Sequence, residues 1–182
     1  MEALAQQAMF TGGALLCAGI GSVHDVRERR IPNFVTGPGI VSGLLLHLAA
    51  GGWAGFGHAA VAGLLAGGIF FVVHVAGGMG AGDVKLMAAV GCIAGLPQLE
   101  LVLVGTVVSG AVFALGVALY NRRLRETAHN VVALVVHHRQ AGFRPHPELN
   151  LTNAHTLRLP YALPIAAGCL MAFWAAIAGA RP

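Results

Sequence analysis

Six stretches of almost unbroken apolar residues, set apart by glycine-rich or polar breaks, set the pattern of this chain. They are Met9–Val23, Phe34–Ala50, His58–Ala76, Val84–Leu96, Leu101–Tyr120 and Tyr161–Gly179. A helix needs about 20 such residues to cross the hydrocarbon core of a bilayer, and several of the stretches approach that length. The expectation is therefore an all-α, polytopic integral membrane protein with about six transmembrane helices, forming one membrane-embedded domain over residues 1–182. The fourth stretch is short for a span, so tilt, local thinning or a partly re-entrant path is expected there.

The one sizeable polar segment, 121–160, falls between the fifth and sixth stretches. Within it Leu124, Ala128, Val131, Val132 and Val135 recur at helical spacing, the pattern of an amphipathic helix on a membrane surface. A solvated loop with one packed turn is the other reading of the same residues. Pro145, Pro147 and Pro160 interrupt the remainder.

Composition strengthens the membrane reading. The chain is 57% hydrophobic and only 10% charged, with a mean hydropathy of +0.75, whereas soluble domains carry about 25% charged residues. Disorder is excluded, because it needs low hydrophobicity. Cys17, Cys92 and Cys169 stand singly in apolar runs, with neither the spacing of a zinc site nor an obvious pairing. The net charge of +4 is mainly topological. Arg27, Arg29, Arg30, Lys85, Arg122, Arg123, Arg125, Arg139, Arg144 and Arg158 all fall on one side when six spans are threaded, leaving Arg181 on the other. Positive residues favour the cytoplasmic side, so the loops after the first, third and fifth spans are placed there. No recognition motif accompanies the arginines, and a nucleic-acid partner is not expected. Glu2 stands where a signal peptide would be basic, so a cleaved signal is not expected either.

Candidate chemistry centres on the only two aspartates, Asp25 and Asp83. Each lies within a residue or two of a span end, on the same cytoplasmic side. Ionisable groups at the edge of a membrane core are unfavourable unless paired or hydrated, which makes them functional candidates. Asp25 is followed by Ile31-Pro32-Asn33, where Pro32 interrupts regular helix and Asn33 is suited to cap the next one. Asp83 ends Gly77-Gly78-Met79-Gly80-Ala81-Gly82, whose glycines open the backbone to close approach and positive φ. The run lacks the Gly-Lys-Ser/Thr ending of a phosphate-binding loop. Two carboxylates that share a proton in a partly dehydrated cleft are suited to aspartyl proteolysis. Periodicity places them at one depth and does not by itself bring them together.

Asp25 with Ile31-Pro32-Asn33, then Gly80-Ala81-Gly82-Asp83-Val84-Lys85-Leu86, resemble the two signature segments of the prepilin peptidases, membrane aspartyl proteases with a Gly-x-Gly-Asp motif. Leu159-Pro160-Tyr161-Ala162-Leu163-Pro164 is similar to a further motif of that family. The resemblance implies that Asp25 and Asp83 are the catalytic pair, with Gly80, Gly82, Lys85, Pro32 and Asn33 as backbone support or substrate-binding residues. It implies a type IV prepilin substrate, of the small Flp-like kind for a short member, cleaved at the cytoplasmic face of the inner membrane. Long members carry paired CxxC motifs linked to N-methylation. This chain has none, so S-adenosylmethionine is not expected, and no cofactor is.

Other residues invite chemistry less specifically. His129, His137, His138, His146 and His155 cluster in the polar segment, but no HExxH is present and no metal site is expected. His24 and Glu28 lie near Asp25, and Lys85 is suited to snorkel to the interface or to meet a substrate charge. Ser42, Cys17 and Cys92 have no histidine placed by spacing for general-base work. The rival function is a non-catalytic membrane subunit or a small proton- or ion-coupled transporter, but acids on a proton path usually lie near mid-membrane.

Overall fold

The computed structural model describes residues 2–142 and 160–179, and among them it contains helices and turns but no strand. The helices are α1 (Glu2–Glu28), α2 (Asn33–Val75), α3 (Ala81–Ala94), α4 (Leu96–Tyr120), α5 (Leu124–Ala141) and α6 (Ala162–Gly179). The second half of the predicted 121–160 segment, with His146, His155, Arg144, Arg158 and Leu159, lies outside the described residues, as does Arg181.

The second and third apolar stretches merge into α2, which is interrupted only at Gly51 and Gly52; Gly52 takes φ 60° and ψ −152°. Without a Cβ, glycine reaches that conformation at little steric cost. The interruption is a reversal. A Cβ added at Gly43 would stand 2.6 Å from the carbonyl carbon of Cys92, and one at Gly63 would meet the side chain of the same cysteine. One level away, Gly39 faces Ala89 and Gly67 faces Ala88. The two legs of α2, 33–50 and 53–75, thus flank α3 as a hairpin.

That embrace makes α3 the centre of the molecule. Leu86, Met87 and Val90 have no exposed surface, and α1 closes the remaining side; α6 packs between α1 and α4. Small residues let these backbones come close: Ala14, Ala18, Ala62, Ala66 and Ala89 are fully buried. Outside this core many large apolar side chains face outward, Leu64 at 76% exposure and Val107 and Val112 at 66%. A soluble protein rarely tolerates such a surface. It is the surface of a membrane protein. Helices α2, α4 and α6 are long and apolar enough to cross a bilayer.

Several expected boundaries shift. Helix α3 starts at Ala81, because Gly80 takes the extended N-cap conformation and Asp83 sits in the first turn. It stops where Gly95 turns to φ 74°, and α4 begins at once with Pro97 in its first turn, a position where proline's missing N–H costs nothing. At 14 residues, α3 is about 21 Å long against about 30 Å of hydrocarbon. Of the two readings of the early polar segment, the helix is the one present, as α5.

Candidate active site

Asp25 lies in the last turn of α1. The helix ends when Arg29 adopts φ 54°, with the Arg29 N–H donating to the Asp25 carbonyl at 2.9 Å, a left-handed closure usually given to glycine. The chain then passes through Ile31 to Pro32, which is extended (φ −74°, ψ 147°) and starts α2. Asn33 does not cap that helix, contrary to expectation: Pro32 holds the N-cap position and no side chain caps it. The Asn33 Oδ1 instead accepts a hydrogen bond from Lys85 Nζ at 3.1 Å, tying the start of α2 to the start of α3. Lys85 is itself exposed.

Asp83 is the third residue of α3, and its Oδ2 accepts from the Gly80 N–H at 3.2 Å. A carboxylate there satisfies a free donor and lies in the favourable field of the helix N-terminus. The glycines before it do different work from one another. Gly77 uses a positive φ of 82°. Gly80 and Gly82 are needed for space: a Cβ on Gly80 would lie 3.2 Å from Asp83 Oδ2, and one on Gly82 would lie 3.2 Å from the Ile31 Cβ. The close neighbour of the glycine run is therefore the Ile31-Pro32 turn. On its other side, the His74 Nδ1 is 2.8 Å from the Met79 carbonyl and pins the loop to the end of α2.

The two loops bring both aspartates to the same end of the bundle, beyond the apolar stretches that precede and begin their helices. Gly21, one turn before Asp25, packs on Leu86, one turn after Asp83. Asp83 is buried, and its carboxyl is pushed up to about 6, first by burial and then by the charge of Asp25. Asp25 is also raised by burial, while the backbone N–H of Ala162 and the charge of Arg29 act in the opposite direction. Asp25 Oδ2 and Asp83 Oδ1 are each buried without a hydrogen-bond partner among the described residues. Buried polar atoms are nearly always paired, so two open acceptors on two coupled carboxylates single this pair out as the candidate site.

Sequence reasoning marked the start of α6 only as a family-like motif and gave it no place in the site. Ser22 Oγ, buried, donates to the Ala162 carbonyl at 2.8 Å, and Tyr161 lies within electrostatic reach of Asp83. Ser22 could have been found as the residue one turn before Asp25 on the same helix face. His24 turns away, edge-on to Phe34 at 5.4 Å and 3.4 Å from exposed Glu28 without hydrogen-bond geometry. Ser42 is exposed and spends its hydroxyl on the Gly39 carbonyl at 3.1 Å.

The fold and this end of it define a helical membrane protein with an electrostatically coupled carboxylate pair. The type IV leader peptidase family model matches residues 13–115, more than half of the chain and both aspartates, and the chain belongs to that family. Membership points to protease chemistry on prepilin-type substrates. No curated protein and no solved structure matches the sequence.

Proposed function

We propose that this chain is an aspartyl endopeptidase that removes the leader from type IV prepilins, of the Flp-like kind, at the cytoplasmic face of the inner membrane. The observation that carries the reading is the coupled pair, Asp25 and Asp83, each with one buried oxygen left without a protein partner. In this reading α1, both legs of α2, α3, α4 and α6 make six passes. Arg27, Arg29, Arg30, Lys85, Arg122, Arg123 and Arg125 then lie on the cytoplasmic side.

The pair holds one proton between them, because like charges at close range resist double ionisation. The ionised member takes a proton from water as the water oxygen attacks the scissile carbonyl carbon. The protonated member donates a hydrogen bond to that carbonyl; a proton then passes to the amide nitrogen as the C–N bond breaks. The two titrate as a unit, and the reaction needs neither metal nor cofactor. Gly82 lets the loops close on one another and Gly80 leaves room for the Asp83 carboxylate, while Pro32, Asn33 and Lys85 fix their separation.

The test is co-expression with a Flp-like prepilin and mass analysis of the product. Wild type should yield the shortened, unmethylated pilin, and Asp25→Asn and Asp83→Asn should yield none while remaining in the membrane. Substantial processing by either variant rejects the aspartyl mechanism.

A further inference from the structure

Helix α5 presents its faces in an unusual way. It packs against α4 and makes no comparable contact with the other described helices. The half-buried positions are Thr127, Asn130, Ala133, Leu134 and His137, a largely polar row. Leu124, Ala128, Val131 and Val132 point away from the protein; Val131 is 54% and Val132 61% exposed. A helix that turned its apolar row into water would be the reverse of the usual arrangement, so an apolar medium must lie on that side.

The turn before α5 sets where that medium is. Helix α4 ends with Arg122 at φ 56°; the Arg123 N–H donates to the Ala118 carbonyl at 2.9 Å and the Arg122 N–H to the Leu119 carbonyl at 3.0 Å. This double closure normally places glycine where Arg122 stands. It redirects the chain immediately after α4 leaves its membrane-competent stretch, and so starts α5 at the level of the lipid headgroups. The charges there are one-sided. Among the described residues, Arg122, Arg123, Arg125 and Arg139 have a single nearby acid, Glu126, which stands 3.8 Å from Arg123 in an exposed pair. Arginine stems can lie along an apolar surface while their heads reach phosphate oxygens.

We infer that α5 is an amphipathic docking helix that lays Leu124, Ala128, Val131 and Val132 into the leaflet and grips anionic phospholipid headgroups through Arg122, Arg125 and Arg139. Juxtamembrane arginines are attracted to anionic leaflets, and the attraction fades within a Debye length. The inference rests on the membrane reading given above, but its readout involves no peptide cleavage. Failed leader processing and failed docking are therefore separate results.

The experiment uses the full chain with Val132→Cys carrying an environment-sensitive NBD label. The three native cysteines are buried, so labelling is directed to the new site. Single copies are placed in nanodiscs of phosphatidylcholine alone or of phosphatidylcholine mixed with phosphatidylglycerol. The label should be blue-shifted and protected from an aqueous quencher only in the anionic discs, and high salt should reverse the protection. Each of Arg122→Gln, Arg125→Gln and Arg139→Gln should weaken docking about fivefold. Equal protection in neutral discs with no salt response would mean that the face rests on protein or neutral lipid, and would overturn the inference. A label open to the quencher in both discs would overturn it as well, as would protection that appears only when two copies share a disc. The salt titration uses unsubstituted arginines, so the outcome stands even if a glutamine variant fails to fold.

Discussion

Replacing Asp83 by Asn separates charge from shape at the centre of the site. The amide oxygen can keep the Gly80 N–H bond, but the charge whose burial is unfavourable is gone. Asp83 is only 8% exposed, and its carboxyl is raised from 3.8 to about 6 by burial and then by Asp25. A shift of about two pKa units corresponds to about 3 kcal/mol. The folded protein binds this proton more tightly than the unfolded chain does. The stabilisation that follows is fully present below the unfolded value of 3.8 and is lost as pH rises through about 6. Wild type and Asp83→Asn should therefore unfold together near about pH 4 and diverge by about pH 8, where the variant is more stable by about 3 kcal/mol. For a chain of this size that is roughly 6–12 °C in Tm. Thermal unfolding in mild detergent, followed with a thiol-reactive dye, reads the difference directly, since Cys17, Cys92 and Cys169 are all buried. A gap that does not change with pH, or a wild type that is the more stable at high pH, would refute the account of Asp83 as a strained acid.

Three further outcomes are expected. Leader cleavage by wild type should decline as pH rises above about 6, because the shared proton leaves the Asp25–Asp83 pair; a rate that climbs steadily into the alkaline range would exclude a shared proton. Lys85→Met should lower kcat severalfold while changing stability by about 1 kcal/mol or less, since the lost Lys85–Asn33 bond is exposed yet fixes the spacing of the two loops; kinetics beside a melting curve decide between this and a purely structural role. Gly43→Ala should destabilise by about 1–3 kcal/mol, because its Cβ would stand 2.6 Å from the backbone of Cys92 and 2.7 Å from that of Ile93; an unchanged melting temperature would mean that α2 does not clasp α3 as described.

Much of this architecture was legible because membrane helices advertise themselves by composition. The apolar stretches gave the helices, and the scarcity of acids drew the eye to Asp25 and Asp83. What the sequence withheld is contact between distant segments, which leaves no local periodicity. Nothing in the spacing of Gly80 and Gly82 says that Ile31 lies against the second of them. Nor does Asn33 announce that Lys85 will claim its side chain before the helix it precedes can. The second and third stretches read as separate spans, and two glycines suffice to reverse the chain between them, because the legs are held by α3 rather than by the turn. The motif at the start of α6 was visible, but its part in the site was not: Ala162 acts on Asp25 through its backbone, and a backbone group has no signature in the sequence.

That last contact bears on when the molecule becomes whole. Both aspartates and the hairpin that cradles α3 leave the ribosome before the backbone donor at Ala162 and the helix that lies along α1. Until α6 is made, Asp25 therefore lacks the backbone donor that favours its charged form. On the proposed reading of this site, translation order withholds the steadied carboxylate until α6 folds back along α1.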